Sequence, residues 1–153
     1  MNFKSIEDII EFALGKEKSA VEFYDELSKR EKASGARETF EKFSKEEEKH
    51  VTLLENYLKD KKLLDEYEFK GITDLKISDY IVDVEYEKGM SYPDHLRLAM
   101  KREEKSYKLY TELADLTKDE EHFKIFQVLA QEELKHKNIL ETIYDDYLAV
   151  QGN

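Results

Sequence analysis

The ten residues EEEKHVTLLE at 46–55 return as EELKHKNILE at 132–141, so that Glu46, Glu47, Lys49, His50, Leu54 and Glu55 fall on Glu132, Glu133, Lys135, His136, Leu140 and Glu141. The match extends outward from there. Residues 13–55 lie on 99–141 without a gap: Ala13 meets Ala99, Glu17 meets Glu103, Tyr24 meets Tyr110, Glu26 and Leu27 meet Glu112 and Leu113, and Phe40 meets Phe126. Roughly three positions in ten are identical over that window, which marks an internal repeat rather than chance.

Each copy reads as two helices joined by a short turn. Ser5 can cap the first helix with Asp8 three residues on, and Ile6, Ile9, Ile10, Ala13, Ala20, Val21, Tyr24 and Leu27 follow at helical spacing. The break is expected near Ala33, in ASGAR. Phe40, Phe43, Val51, Leu54, Tyr57 and Leu58 form the stripe of the second helix, which fades after KDKK. The third starts at SYPDH, with Ser91 as cap and Pro93 in the first turn, and carries Leu96, Ala99, Met100, Tyr107, Tyr110 and Leu113. The fourth follows TKDEE with Phe123, Phe126, Leu129, Ala130, Leu140, Ile143 and Tyr147. The fold class is all-α. Two antiparallel hairpins, about 5–60 and about 92–148, flank a crossover of about 61–91, in which Ile77, Ile81 and Val84 could lie along the helices. One domain over 1–153 is expected.

Composition narrows the chemistry. The chain of 153 residues has no cysteine, so any metal is held by oxygen and imidazole nitrogen. Its 25 basic and 36 acidic residues give a net charge of −11, which opposes binding to nucleic acid or anionic membranes. The start, MNFKSIEDIIEF, lacks the apolar run of a signal peptide, and no uncharged stretch approaches the roughly 20 residues of a membrane span. A cytoplasmic location is the expectation.

Glutamates stand where leucines belong. The inner stripes of helices one and three pass through Glu17 and Glu103, and Glu47 with His50 and Glu133 with His136 interrupt the stripes of the other two. A buried ionised carboxylate costs several kcal/mol unless compensated. In a hairpin turning near residue 34, Glu17 lies opposite residues around 51, beside His50, and the second hairpin repeats this for Glu103 and His136. The expected ligands are therefore Glu17, Glu47, His50, Glu103, Glu133 and His136, whose four carboxylates would neutralise two divalent cations. One glutamate from each of two helices and a Glu-x-x-His from each of the others is the di-iron or di-manganese pattern of ferritin-like bundles. Glu46 and Glu132, four residues before the histidines, are not excluded by periodicity. Asp119 with His122 is also an acid-x-x-His pair, but lies some three turns from His136, roughly 20 Å along the helix, and is read as out of register. Set against all this is a solvated salt-bridging face.

Glu17, EEEKH, Glu103 and EELKH, together with the long middle crossover, resemble the rubrerythrin-like branch of the ferritin-like di-iron carboxylate superfamily over nearly the whole chain. The resemblance implies the three-residue spacing, with Glu47 and Glu133 bridging two iron ions, Glu17 and Glu103 more terminal, and one histidine on each ion. It implies reduction of peroxide or dioxygen with electrons from an external donor protein. Two departures stand out: rubrerythrin proper has a further glutamate where this chain has Ser106, and a cysteine-ligated rubredoxin domain that a chain without cysteine cannot contain. Tyr24 and Tyr110, seven residues after ligand glutamates, face inward; each is a candidate donor of a hydrogen bond or an electron, or else a core aromatic. His95, near a helix start, is expected at the surface.

Three functions remain open on these residues: a di-iron oxidoreductase of peroxidase type, a ferroxidase or iron-storage protein without reductive turnover, and a metal-free helical interaction module. The ligands suit manganese as well as iron. A homodimer is common among look-alikes, but no interface is legible.

Overall fold

The computed structural model describes residues 3–30, 34–60, 64, 75–82, 90–117 and 119–151. Its elements are α1 (Ile6–Arg30), α2 (Ser34–Lys59), a short 3-10 turn (Ile77–Tyr80), α3 (Tyr92–Leu116) and α4 (Glu120–Gln151). They fall into two compact units, Asn2–Asp74 and Leu75–Asn153, each holding one helical pair. No helix among the described residues is long and apolar enough to cross a membrane.

In the first unit, Ser5 Oγ accepts the Asp8 backbone N–H at 3.1 Å, and the Asp8 carboxylate accepts that of Lys4 at 3.2 Å. These bonds satisfy donors that an uncapped helix would leave open. Glu7 and Asp8 in the first turn and Lys29 and Arg30 in the last suit the helix dipole. The side chains of α1 pack on those of α2 in opposite order: Glu17 meets His50, Val21 meets Ser44 and Tyr24 meets Phe40. Falling numbers against rising ones mean antiparallel helices. The Ser44 hydroxyl donates to the Val21 carbonyl at 3.0 Å, and Tyr24 stacks on Phe40 while meeting Phe23 and Phe43 edge-on. This aromatic group closes the hairpin near its turn.

The second unit repeats the plan. Ser91 caps α3 by accepting the Asp94 N–H, and a proline occupies its first turn. The Arg97 guanidinium bonds the Asp94 carboxylate, which with the Ser91 cap holds that carboxyl below the usual range. Glu103 meets His136, Arg97 meets Tyr144 and Tyr92 meets Tyr147, again in antiparallel order. The α4 start is capped by Asp119, whose Oδ1 accepts the N–H groups of Glu121 and His122 at 2.9 and 3.3 Å.

Several expectations are corrected. Of the ASGAR stretch expected to hold the break, Ser34, Gly35, Ala36 and Arg37 belong to α2, and Ala33 lies outside the described residues. Glycine is tolerated there because the N–H groups of a first turn have no intrahelical partner to lose. His95 is not at the surface but 2% exposed: it fills the place that Ile9 takes in the first copy, and the Ser91 cap keeps that turn helical. Phe123 is 37% exposed, because at this end of α4 the buried positions are His122 and Phe126, one turn apart. Ala20, Val21, Val51, Leu58, Met100, Tyr107, Ile143 and Tyr147 only flank the core, whereas Phe23, Leu98 and Leu109 lie in it.

Most of the crossover, Val84 included, lies outside the described residues. Ile77 is half-buried and Ile81 exposed; the residue that anchors the 3-10 turn is instead Tyr80, which has no exposed surface. Its hydroxyl donates to the Glu112 carboxylate on α3, and the Lys108 ammonium stands 5.8 Å from its ring centre. Burial, and next the bonded Glu112, push the Tyr80 phenol well above the ordinary tyrosine range. A raised value in the folded state means that this contribution is complete below the unfolded value near pH 10 and is lost only as pH climbs through the folded one.

Two stability predictions follow from this packing. Tyr80→Phe keeps the ring but removes a bond to a charged acceptor, so thermal unfolding should show a loss of about 1.5–3 kcal/mol at pH 7. Gly15 is exposed within α1 and an added Cβ would meet nothing within 4 Å. Gly15→Ala should therefore raise stability by about 1 kcal/mol in the same assay.

Candidate metal centre

Glu47 and His50 are one helical turn apart on α2 and share its inner face. The antiparallel pairing brings Glu17 of α1 to the same level. His50 Nδ1 lies 3.4 Å from Glu47 Oε2 and 3.6 Å from Glu17 Oε2. All three residues are buried, at 3% exposure or less. In the second unit His136 Nδ1 lies 3.6 Å from Glu103 Oε1, and Glu103, Glu133 and His136 are buried to the same degree. Within each hairpin, each of the three residues offers one ligand atom and these atoms lie within 4.8 Å of one another.

Such distances fit a cation better than a hydrogen-bonded core. Atoms that bind one ion at about 2.1 Å stand about 3.0 to 4.2 Å apart, depending on the angle at the metal. The separations of 3.4 and 3.6 Å fall in that interval and exceed the usual hydrogen-bond length. Nδ1 of both histidines and both carboxylate oxygens of Glu47 are buried and make no hydrogen bond. In both copies it is Nδ1 that faces the carboxylates. Oxygen and imidazole donors suit iron or manganese.

The structure brings together within each hairpin the three residues expected there, and leaves the competing acids outside. Glu46 is half-buried beside Lys42, 3.9 Å away, and Glu132 is exposed. Asp119 is the N-cap of α4, so its spacing to His122 reflects helix initiation and not metal binding. Tyr24 and Tyr110 are both 1% exposed. Ser106, at the place of the additional glutamate, is half-buried on α3.

The comparisons with known proteins point the same way. The family model Rubrerythrin matches residues 8–144, and the chain belongs to the rubrerythrin family. Its fold is that of the ferritin-like four-helix bundle, as the structural relatives bear out. A Thermotoga maritima protein assigned as ferritin-like and diiron-carboxylate has a TM-score of 0.76 at 19% identity, with 96% of this chain and 99% of that one covered. A hypothetical protein from Pyrococcus furiosus has a TM-score of 0.74 at 27% identity, over 95% of this chain and 91% of the other. No curated protein matches the sequence.

Asp119 supplies a control for the ligand assignment. Asp119→Ala should cost about 1 kcal/mol through the lost cap, and Asp119→Asn should cost almost nothing. Metal content should stay at the wild-type level in both, measured by elemental analysis after loading; a fall in Asp119→Asn would bring the acid-x-x-His pair back as a ligand.

Proposed function

We propose that the protein is a di-iron carboxylate oxidoreductase that reduces hydrogen peroxide or dioxygen. The observation that carries this reading is the buried pair of Glu, Glu, His sets at matched levels of two repeated hairpins, in a chain of the rubrerythrin family. Glu17, Glu47 and His50, with Glu103, Glu133 and His136, would hold two iron ions, with manganese as the alternative metal. Bound as ferrous ions, these would supply the two electrons that convert hydrogen peroxide and two protons into two waters.

The remaining work falls to the protein's own side chains. The imidazoles would hold the ions as neutral donors without adding charge, while the carboxylates would balance the cations and, as hard donors, favour the oxidised metal. Ile9, Ile10, Phe40, Phe43 and Leu54 in the first hairpin, and Leu96, Phe126, Leu129 and Leu140 in the second, are buried and exclude water. Side chains on a helix lean toward its N-terminus, which for Tyr24 is the direction of Glu17 and for Tyr110 that of Glu103. Their hydroxyls are thereby suited to supply a proton near the carboxylates. With no cysteine in the chain, the electrons that restore the ferrous state would come from a separate donor protein.

Anaerobic loading with ferrous iron, desalting and metal analysis should give two irons per chain. Glu47→Ala and Glu133→Ala should each weaken binding by more than about tenfold and reduce peroxide turnover measured with a chemical reductant; unchanged loading in both would defeat the assignment. Tyr24→Phe should slow turnover at full metal content. Ferrous oxidation that continues far beyond two ions per chain would instead favour iron storage.

A further inference from the structure

We infer that the outer face of α4 is a self-association surface, on which a second copy of this chain packs its own α4 in antiparallel register about Gln131. The inference goes beyond the metal-binding reading and does not depend on it. The internal repeat supplies the control, because α2 and α4 share a plan and differ in what they show to water. On α2, Arg37 and Glu41 are exposed and ion-paired at 3.1 Å, with Lys42, Lys45 and Glu48 exposed beside them. The same five positions of α4 hold Phe123, Gln127, Val128, Gln131 and Leu134, so every one of those charges is gone. At 3.6 residues per turn these side chains span an arc of about 140° on the side of the helix away from Glu133. Phe123 is 37% and Val128 48% exposed, Gln127 and Gln131 are exposed, and Leu134 is half-buried. Loss of charge, more than apolar content, distinguishes the middle of a protein–protein interface from other surface, and in a chain that is 40% charged such a face stands apart.

Charge also selects the occupant. Each copy carries a net −11, so two copies repel unless they meet where neither presents its excess of acid. Across a two-fold axis every contact between unlike residues is made twice. With α4 antiparallel to its own copy and Gln131 on the axis, Val128 meets Leu134, Gln127 meets Lys135 and Lys124 meets Asn138, and no like charges are opposed. The Gln131 amide, donor and acceptor in one group, is complementary to itself. The corresponding register on α2 would set Lys45 against Lys45. Lys135 stands about 12 Å along the axis from its own copy, beyond the screening length of about 8 Å at physiological salt, and Lys124 carries Glu120 with it at 3.3 Å. A helix face of this length, about 24 Å, is a small interface, so the association is reversible and depends on concentration.

Sedimentation equilibrium of the full-length chain over a range of concentrations reads the association, and circular dichroism checks folding. Val128→Lys and Gln131→Lys put back the residue types that α2 carries at these positions, Lys42 and Lys45, so a helix of this plan accepts them. Wild type should approach twice the chain mass as concentration rises. Each variant should weaken association by more than about tenfold, since Gln131→Lys opposes two like charges and Val128→Lys buries one against Leu134. Gln131→Glu alone should be as weak as Gln131→Lys, and an equimolar mixture of the two should restore the doubled mass, because position 131 meets its own copy. Wild type that stays monomeric to about 1 mM overturns the inference and leaves the face to a different protein. A doubled mass that survives both lysine variants, or a mixture that stays monomeric, overturns it as well. None of these results touches iron loading, so failure here is distinct from failure of the proposed function.

Discussion

Burying two carboxylates beside one imidazole is the constraint to which each hairpin is built. Apolar packing alone would select leucine at positions 17, 47, 103 and 133, because a charge withdrawn from water must be compensated or neutralised. The chain keeps glutamate at all four and surrounds them with large, fully buried side chains: Ile9, Ile10, Tyr24, Phe40, Phe43 and Leu54 in the first hairpin, Leu96, Tyr110, Phe126 and Leu140 in the second. That arrangement makes sense when a cation completes it. The same low-dielectric surroundings that make a bare carboxylate costly make its attraction to a divalent ion strong.

The two hairpins hold an identical polar set within apolar frames that differ. Phe43 of the first corresponds to Leu129 of the second, Phe23 to Leu109, and Ile9 to His95, all of them buried. Cores accept such exchanges when volume is made up nearby. A ligand position has no comparable freedom, since an atom displaced by 1 Å no longer reaches the ion. The contrast between drifting apolar positions and fixed polar ones, seen inside a single chain, separates what packing requires from what chemistry requires.

The fold was legible because its determinants are periodic and repeated: the helix starts at Ser5 and Ser91, the stripes through Leu27, Leu54, Leu113 and Leu140, and the duplicated glutamates and histidines could all be read along the chain. What escaped reading depends on neighbours distant in sequence. Tyr80 sits in a stretch without helical period, and its burial follows from a partner, Glu112, that lies far along the chain. His95 looked like a surface residue because helix ends often fray and histidine is polar, yet its place on the stripe of Ala99 and Glu103 decided its fate. Phe123 was misplaced for the opposite reason. Its hydrophobicity suggested the core, while the inner face of α4 at that turn had moved to His122 and Phe126.

The choice between Glu46 and Glu47 shows why a metal site is a property of two helices at once. On α2 alone, residues 46 and 47 stand about 40° and 60° from His50 around the axis, on opposite sides of it. Both are near enough to share an ion with it, and no periodicity within α2 separates them. The partner helix does: Glu17 of α1 approaches His50 from the side on which Glu47 is buried, whereas Glu46 turns toward Lys42 at the hairpin's outer face. The repeat places the same demand on α3, where Glu103 meets His136 and Glu133 is buried while Glu132 is exposed. The glutamate that joins each ligand set is therefore chosen by what faces it, while the carboxylate one residue away, with the same chemistry, is half-buried beside Lys42 in the first copy and exposed in the second.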